Sequence, residues 1–199
     1  MHAPWPSHLA NAASAAEARV IEGRVVAVAD GDTITILDRD KHQHKIRFNG
    51  IDAPEKKQAF GTRSRQNLAS VIFDRNVRAE CGKRDSSGRE VCKVLDGSRD
   101  VGLEQIQAGL AWWYRAYAKE QSPADRQRYE RTEDEARAKK VGLGRDPNPV
   151  PPWEWRHSRH QTTCSSASLT IRGGQTVVNV RNPMISLRDS LSAQDLLGI

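Results

Sequence analysis

The chain has 199 residues, 37% of them hydrophobic and 28% charged, enough for one domain of ordinary size that folds without metals or disulfides to complete its core. Lysines and arginines number 31 against 25 acids, a formal charge of +6 that suits a polyanionic partner without requiring one. No apolar run approaches the roughly 20 residues of a membrane span, so no membrane partner is expected.

Residues 1–19 are alanine-rich, carry no Lys or Arg before Arg19 and hold small-x-small triplets such as Ala13-Ser14-Ala15. They lack the basic and apolar regions of a whole export signal. The stub of an export signal and a plain disordered leader both fit, and neither belongs to the fold.

From Val20 the pattern is β. Residues 20–29 read as a Val-rich strand, Asp30-Gly31-Asp32 as a hairpin turn, and residues 33–37 as a second strand with Ile34 and Ile36 on one face. In the stretch IRFNGIDAPE, residues 46–55, Ile46 and Phe48 alternate with Arg47 and Asn49 as in a half-buried strand. Gly50 interrupts that strand and Asp52-Ala53-Pro54 ends it, since proline cannot extend a ladder. Residues 61–73 have helical spacing. Residues 77–82 and 90–95 are strands around the turn Asp85-Ser86-Ser87-Gly88. Asp100 caps a short helix that Gly109 ends, and Ser122-Pro123 with Asp125 opens a long charged helix reaching Lys140. Trp112, Trp113 and Tyr114 suit either a base-stacking platform or core packing.

Four pieces, VADGDTI (28–34), IRFNGIDAPE (46–55), RDSSGR (84–89) and QAGLAWWYR (107–115), occur in the order found in the staphylococcal nuclease (thermonuclease) family, which this chain resembles over about residues 20–148. The resemblance implies an α+β, mainly β fold: a five-stranded OB-fold β-barrel with three packed helices. It implies a Ca2+-dependent phosphodiesterase that cleaves DNA and RNA with little sequence preference and leaves 3′-phosphate ends. Asp32, Asp52 and the main-chain carbonyl of Ala53 match calcium ligands. Glu55 matches the general base, and Arg47 and Arg89 match the arginines that grip the scissile phosphate. Asp30 is expected near the ion, and Tyr117 near a ligand-contacting tyrosine. Ser86-Ser87 stands where a well-known relative has a bulkier Lys-Tyr pair, which removes one nucleotide contact. The alternative is an OB-fold module that has lost catalysis and only binds nucleic acid or protein. Such a module would be expected to have shed the arginines or acids, and all five are present.

The residue types suit that chemistry. Ca2+ takes about 6–8 hard oxygen ligands in loose geometry. Arginine's planar fork meets the oxygens of a phosphate in pairs. After Gly144 the composition changes: residues 146–152 are proline-rich and read as an extended linker, and beyond Glu154 there is no Glu and no Lys. Residues 149–199 are therefore expected to be a linker and a poorly ordered tail, with a hairpin around Gly173-Gly174. Cys81 and Cys92 are equidistant from the centre of the 85–88 turn, so a symmetric hairpin sets them opposite each other. A disulfide and a pair of small buried thiols both fit, the bond being favoured by an oxidising compartment. Cys164 is expected to be unpaired. A secreted or periplasmic monomer is expected, with cytoplasmic residence left open.

Overall fold

The computed structural model describes residues 19–164, and the side chains of those through Ser158. Its spine is β1 (Arg19–Asp30), which is 12 residues long and pairs antiparallel with β2 (Thr33–Leu37) on one side and β5 (Asn76–Arg84) on the other. Two register shifts against β2, between Val25 and Ala27 and between Val28 and Asp30, bend β1 enough to serve both neighbours. β3 (Gln43–Phe48) follows β2, and β6 (Glu90–Asp96) follows β5, each antiparallel to its predecessor. β3 then meets β6 in parallel, with Ile46 opposite Glu90 and Phe48 opposite Cys92, and five strands close into a barrel.

Alternation fills that barrel. Ile34 and Ile36 from β2, Ile46 and Phe48 from β3, Val25 from β1, and Ala79 and Val94 from β5 and β6 are all buried. Each large aliphatic side chain taken fully out of water contributes about 1.5–3 kcal/mol. Leu68 and Ile72 of α1 (Gly61–Ile72) cover the barrel, as do Val101 and Ile106 of α2 (Val101–Gln107). Asp100 caps α2 by accepting from the Leu103 N–H, and Ser122 caps α3 (Pro123–Ala138) by accepting from that of Asp125. The expected α+β barrel with three helices is the observed one.

The structure adds elements that the sequence pattern leaves out. Ile51–Asp52 (β4) pairs antiparallel with Trp112–Trp113 (β8), and Arg99–Asp100 (β7) extends the sheet beyond β6. This places Trp112 and Trp113 in the interior, at 8% and 6% exposure, and decides those two for packing, while Tyr114 is half-buried and lines a cleft. Within the stretch expected to be linker and tail, Pro152–Cys164 forms α4, and Trp153 packs on Trp112 and Tyr114 with ring centroids 6.3 and 5.3 Å apart. Cys81 and Cys92 face each other across β5 and β6 and are joined in a disulfide. The hairpin expected around Gly173-Gly174 lies outside the described residues.

Candidate active site

Three chain segments converge at one end of the barrel: the β1–β2 turn, the stretch from the end of β3 through β4 to Glu55, and the β5–β6 turn. Each is held there by its own polar contacts. Gln105 of α2, 1% exposed, donates to the carbonyls of Gly31 (2.8 Å) and Ser64 (3.2 Å), tying the first turn to α1. A Cβ at Gly31 would come 1.8 Å from Ser64 Oγ, so only glycine allows this approach. Gly50 leaves β3 at φ 76°, a left-handed turn that glycine adopts freely, and redirects the chain into β4. In the third segment, the Asp85 carboxylate accepts from the backbone N–H groups of Ser87 and Arg89 and from Arg89 Nε (2.7 Å), fixing the arginine to its own turn.

Arg47 joins these parts. Its Nη1 donates to Asp32 Oδ1 at 2.6 Å and its Nη2 to Asp52 Oδ1 at 2.7 Å, so one guanidinium bridges two carboxylates that are 1% and 0% exposed. Asp32 Oδ2 accepts from the Ala53 N–H (2.7 Å), and Thr33 Oγ1 donates to Asp32 Oδ1 (2.9 Å). Arg89 Nη1 reaches the same Thr33 hydroxyl at 3.5 Å. Burial pushes the Asp32 carboxyl up, helped by Asp30 and Asp52, while the Arg47 guanidinium in contact with it pulls the other way. Burial also works against the Arg47 charge, yet Asp32 and Asp52 outweigh it and hold the guanidinium above its ordinary value.

Above this buried layer opens a cleft of about 550 Å³ faced by Asp30, Arg47, Glu55, Arg89 and Arg156. Tyr117, half exposed at 47%, stands on its wall with Lys83 Nζ 4.2 Å above its ring. The structure thus brings Asp32, Arg47, Asp52 and Ala53 into direct contact, with Arg89 one hydroxyl away. Glu55 bonds neither Arg47 nor Arg89 directly. Its carboxylate is held by Arg156.

Arg156 is the residue that the sequence reading missed. From the second turn of α4 its Nη2 donates to Asp52 Oδ2 (2.7 Å) and its Nη1 to Asp52 Oδ1 (3.2 Å) and Glu55 Oε1 (2.8 Å). These bonds, above all those to Asp52, raise its pKa above the ordinary value. A signal for it stood in the sequence, since Pro152 at a first helical position and Glu154 in the first turn mark a helix start. Gln58 was also overlooked: it accepts from the Glu55 N–H (3.1 Å) and donates to the Val150 carbonyl (2.5 Å), latching the acid's loop to the proline stretch.

The donor chemistry suits a hard divalent cation. Asp32, Asp52 and Glu55 offer carboxylate oxygens, which Ca2+ prefers. Among the described residues the ligand atoms of these three acids are not all within 4.8 Å of one another; those of Asp38, Asp40 and His42, on the exposed β2–β3 turn, are. There Asp38 Oδ1 accepts from the N–H groups of Asp40 and His42 and Oδ2 contacts His44 at 2.7 Å, so the carboxylate shapes its own turn.

Residues 45–146 match the family described as staphylococcal nuclease homologue. The chain belongs to the staphylococcal nuclease family. It is 35% identical over 153 residues to a Haemophilus influenzae protein named "Uncharacterized endonuclease", covering 73% of this chain and 83% of that one. It is 39% identical over 150 residues to a "Micrococcal nuclease" of Shigella flexneri, covering 71% and 83%, and 40% identical over 145 residues to "Protein ParB" of Escherichia coli, covering 68% and 79%. The segment matched to the staphylococcal nuclease family contains Arg47, Asp52, Ala53, Glu55 and Arg89; Asp32 precedes it and Arg156 follows it.

Proposed function

We propose that the protein is a Ca2+-dependent nuclease that hydrolyses phosphodiester bonds in DNA and RNA and leaves 3′-phosphate ends. The observation that carries this reading is the Arg47 bridge across two buried carboxylates at the base of an open cleft, with Arg89 beside it on Thr33. Asp32 and Asp52, with the Ala53 carbonyl, would hold the cation, which when bound would polarise a phosphate oxygen. Arg47 and Arg89 come from the end of β3 and the start of β6 and would meet a phosphate from two directions, Arg47 with donors that also hold Asp32 and Asp52. Their paired donors suit the negative charge that builds on its equatorial oxygens under attack. Glu55, 37% exposed at the cleft wall, is placed to take a proton from an attacking water as the oxygen–phosphorus bond forms. The 5′-oxygen then departs, takes a proton from solvent, and leaves the phosphate on the 3′ side.

The Cys81–Cys92 bond supports residence in an oxidising compartment, secreted or periplasmic, since such bonds rarely persist in a reducing one. The test of the activity is incubation of the purified chain with single- and double-stranded DNA and with RNA, with Ca2+ and with a chelator. Cleavage in Ca2+ that stops in chelator and yields 3′-phosphate termini is the expected result. Nucleic acid bound but uncut at every Ca2+ concentration would overturn it.

A further inference from the structure

We propose that Arg156 is a tethered substitute for the divalent cation: it neutralises Asp52 and Glu55 when no ion is bound and has to leave them for an ion to bind. The inference rests on the cation reading above and adds to it a competitor supplied by the chain itself.

The contacts carry it. An ionised carboxylate has about four acceptor positions. At Asp52 one is taken by Arg47 and two by Arg156, and Arg156 takes a further oxygen at Glu55. Removing Arg156 frees Asp52 Oδ2 and Glu55 Oε1 and leaves Asp52 Oδ1 with Arg47, so the guanidinium occupies carboxylate oxygens of the kind a cation would take. The two arginines are not equivalent. Arg47 belongs to a strand of the closed barrel and is 18% exposed, whereas Arg156 sits on α4, outside the barrel, and is 39% exposed. Trp153 anchors that helix on Trp112 and Tyr114 three residues earlier, so Arg156 can swing outward by side-chain rotation while the helix stays docked.

The energetics explain why such a residue is useful. Asp52 has no exposed surface, shares Arg47 with Asp32 and shares Arg156 with Glu55. A buried carboxylate left without a counter-charge is strongly destabilising. Arg156 supplies a single positive charge in place of the ion's two, and a tethered monovalent group is a weaker partner than a dication with free ligand geometry. Exchange is therefore favoured once the ion is abundant. The ion's apparent dissociation constant is its intrinsic value divided by the fraction of molecules with Arg156 withdrawn. By linkage, ion binding in turn drives Arg156 outward.

Calorimetric titration of Ca2+ into the full-length protein and into Arg156→Gln, without nucleic acid, tests this. The glutamine variant keeps much of the side chain's volume and removes its charge, and it should bind Ca2+ roughly tenfold more tightly. Equal or weaker binding by the variant would overturn the proposal while leaving the cation reading intact. No Ca2+ binding by either protein would overturn both. A second measurement does not depend on the variant folding. In the wild-type protein, 15N NMR of the arginine side chains should show the Arg156 signal moving to that of a solvated guanidinium as Ca2+ is added. An Arg156 signal unmoved at saturating Ca2+ would also overturn the proposal.

Discussion

Arg89 Nη1 lies 3.5 Å from Thr33 Oγ1, and that hydroxyl donates in turn to Asp32 Oδ1. The two arginines proposed to grip the phosphate are thus connected through one threonine and one buried carboxylate, although the strand and the turn that carry them are far apart in sequence. They differ in what else they hold.

Arg89→Ala is expected to lower turnover by roughly 10²–10⁵ through lost transition-state stabilisation. Its side chain is 29% exposed and bonds mainly to Asp85 in its own turn, so thermal stability should change little. Arg47→Ala should lower turnover as far and also destabilise the fold by about 3–5 kcal/mol, because it leaves two buried carboxylates without their shared partner. Single-turnover cleavage beside chemical denaturation separates the two. Equal stability of both variants would contradict the assignment of Arg47 to the buried layer.

Glu55→Gln preserves shape and removes the proton acceptor, and a loss of roughly 10²–10⁴ in turnover is expected. The Glu55 backbone N–H still has Gln58 and the side chain is more than a third exposed, so the fold should be unaffected. Turnover within threefold of wild type would remove Glu55 from the proton-transfer role.

Chelation should abolish cleavage without unfolding the protein. Arg47 and Arg156 themselves bond Asp32 and Asp52, so the ion's contribution to stability is limited to its binding free energy, RT ln(1 + [L]/Kd). At about 100 times Kd this is about 2.7 kcal/mol. Differential scanning calorimetry with Ca2+, Mg2+ and chelator would check it. Mg2+ should stabilise and activate less, since it demands tighter octahedral geometry.

Gln105→Leu is expected to cost about 1–3 kcal/mol, because it leaves the buried Gly31 and Ser64 carbonyls without the amide that now serves both. The same change frees the turn bearing Asp32, so Ca2+ affinity should fall with stability. A variant that loses stability but binds Ca2+ like wild type would show that Gln105 serves the helices alone.

Much of this was legible in the sequence because the deciding forces are local. β2 is bounded as expected, since Thr33-Ile34-Thr35-Ile36-Leu37 alternates between two turns, and the start of α3 follows from Ser122, Pro123 and Asp125. Asp32, Arg47, Asp52 and Ala53 fall together because the turn and strand end that carry them are short and rigid. β4 and β8 were not legible, because a two-residue strand is defined by its partner and not by its own pattern. Arg156 was hidden by a true but incomplete signal. The proline run does break the chain's earlier rhythm, but Pro152 starts a helix instead of prolonging a linker.

The seam where β3 meets β6 has a consequence for when the site comes into being. Ile46, Arg47 and Phe48 pair with Glu90, Val91 and Cys92 across a long stretch of chain, and such long-range pairings are costly in loop entropy and slow to form. Arg47 lies on that seam and Arg89 borders it. A chain still emerging from the ribosome, or one held unfolded by a chaperone, carries every residue of the site and none of its geometry. The geometry of the site therefore arrives only with the closed barrel.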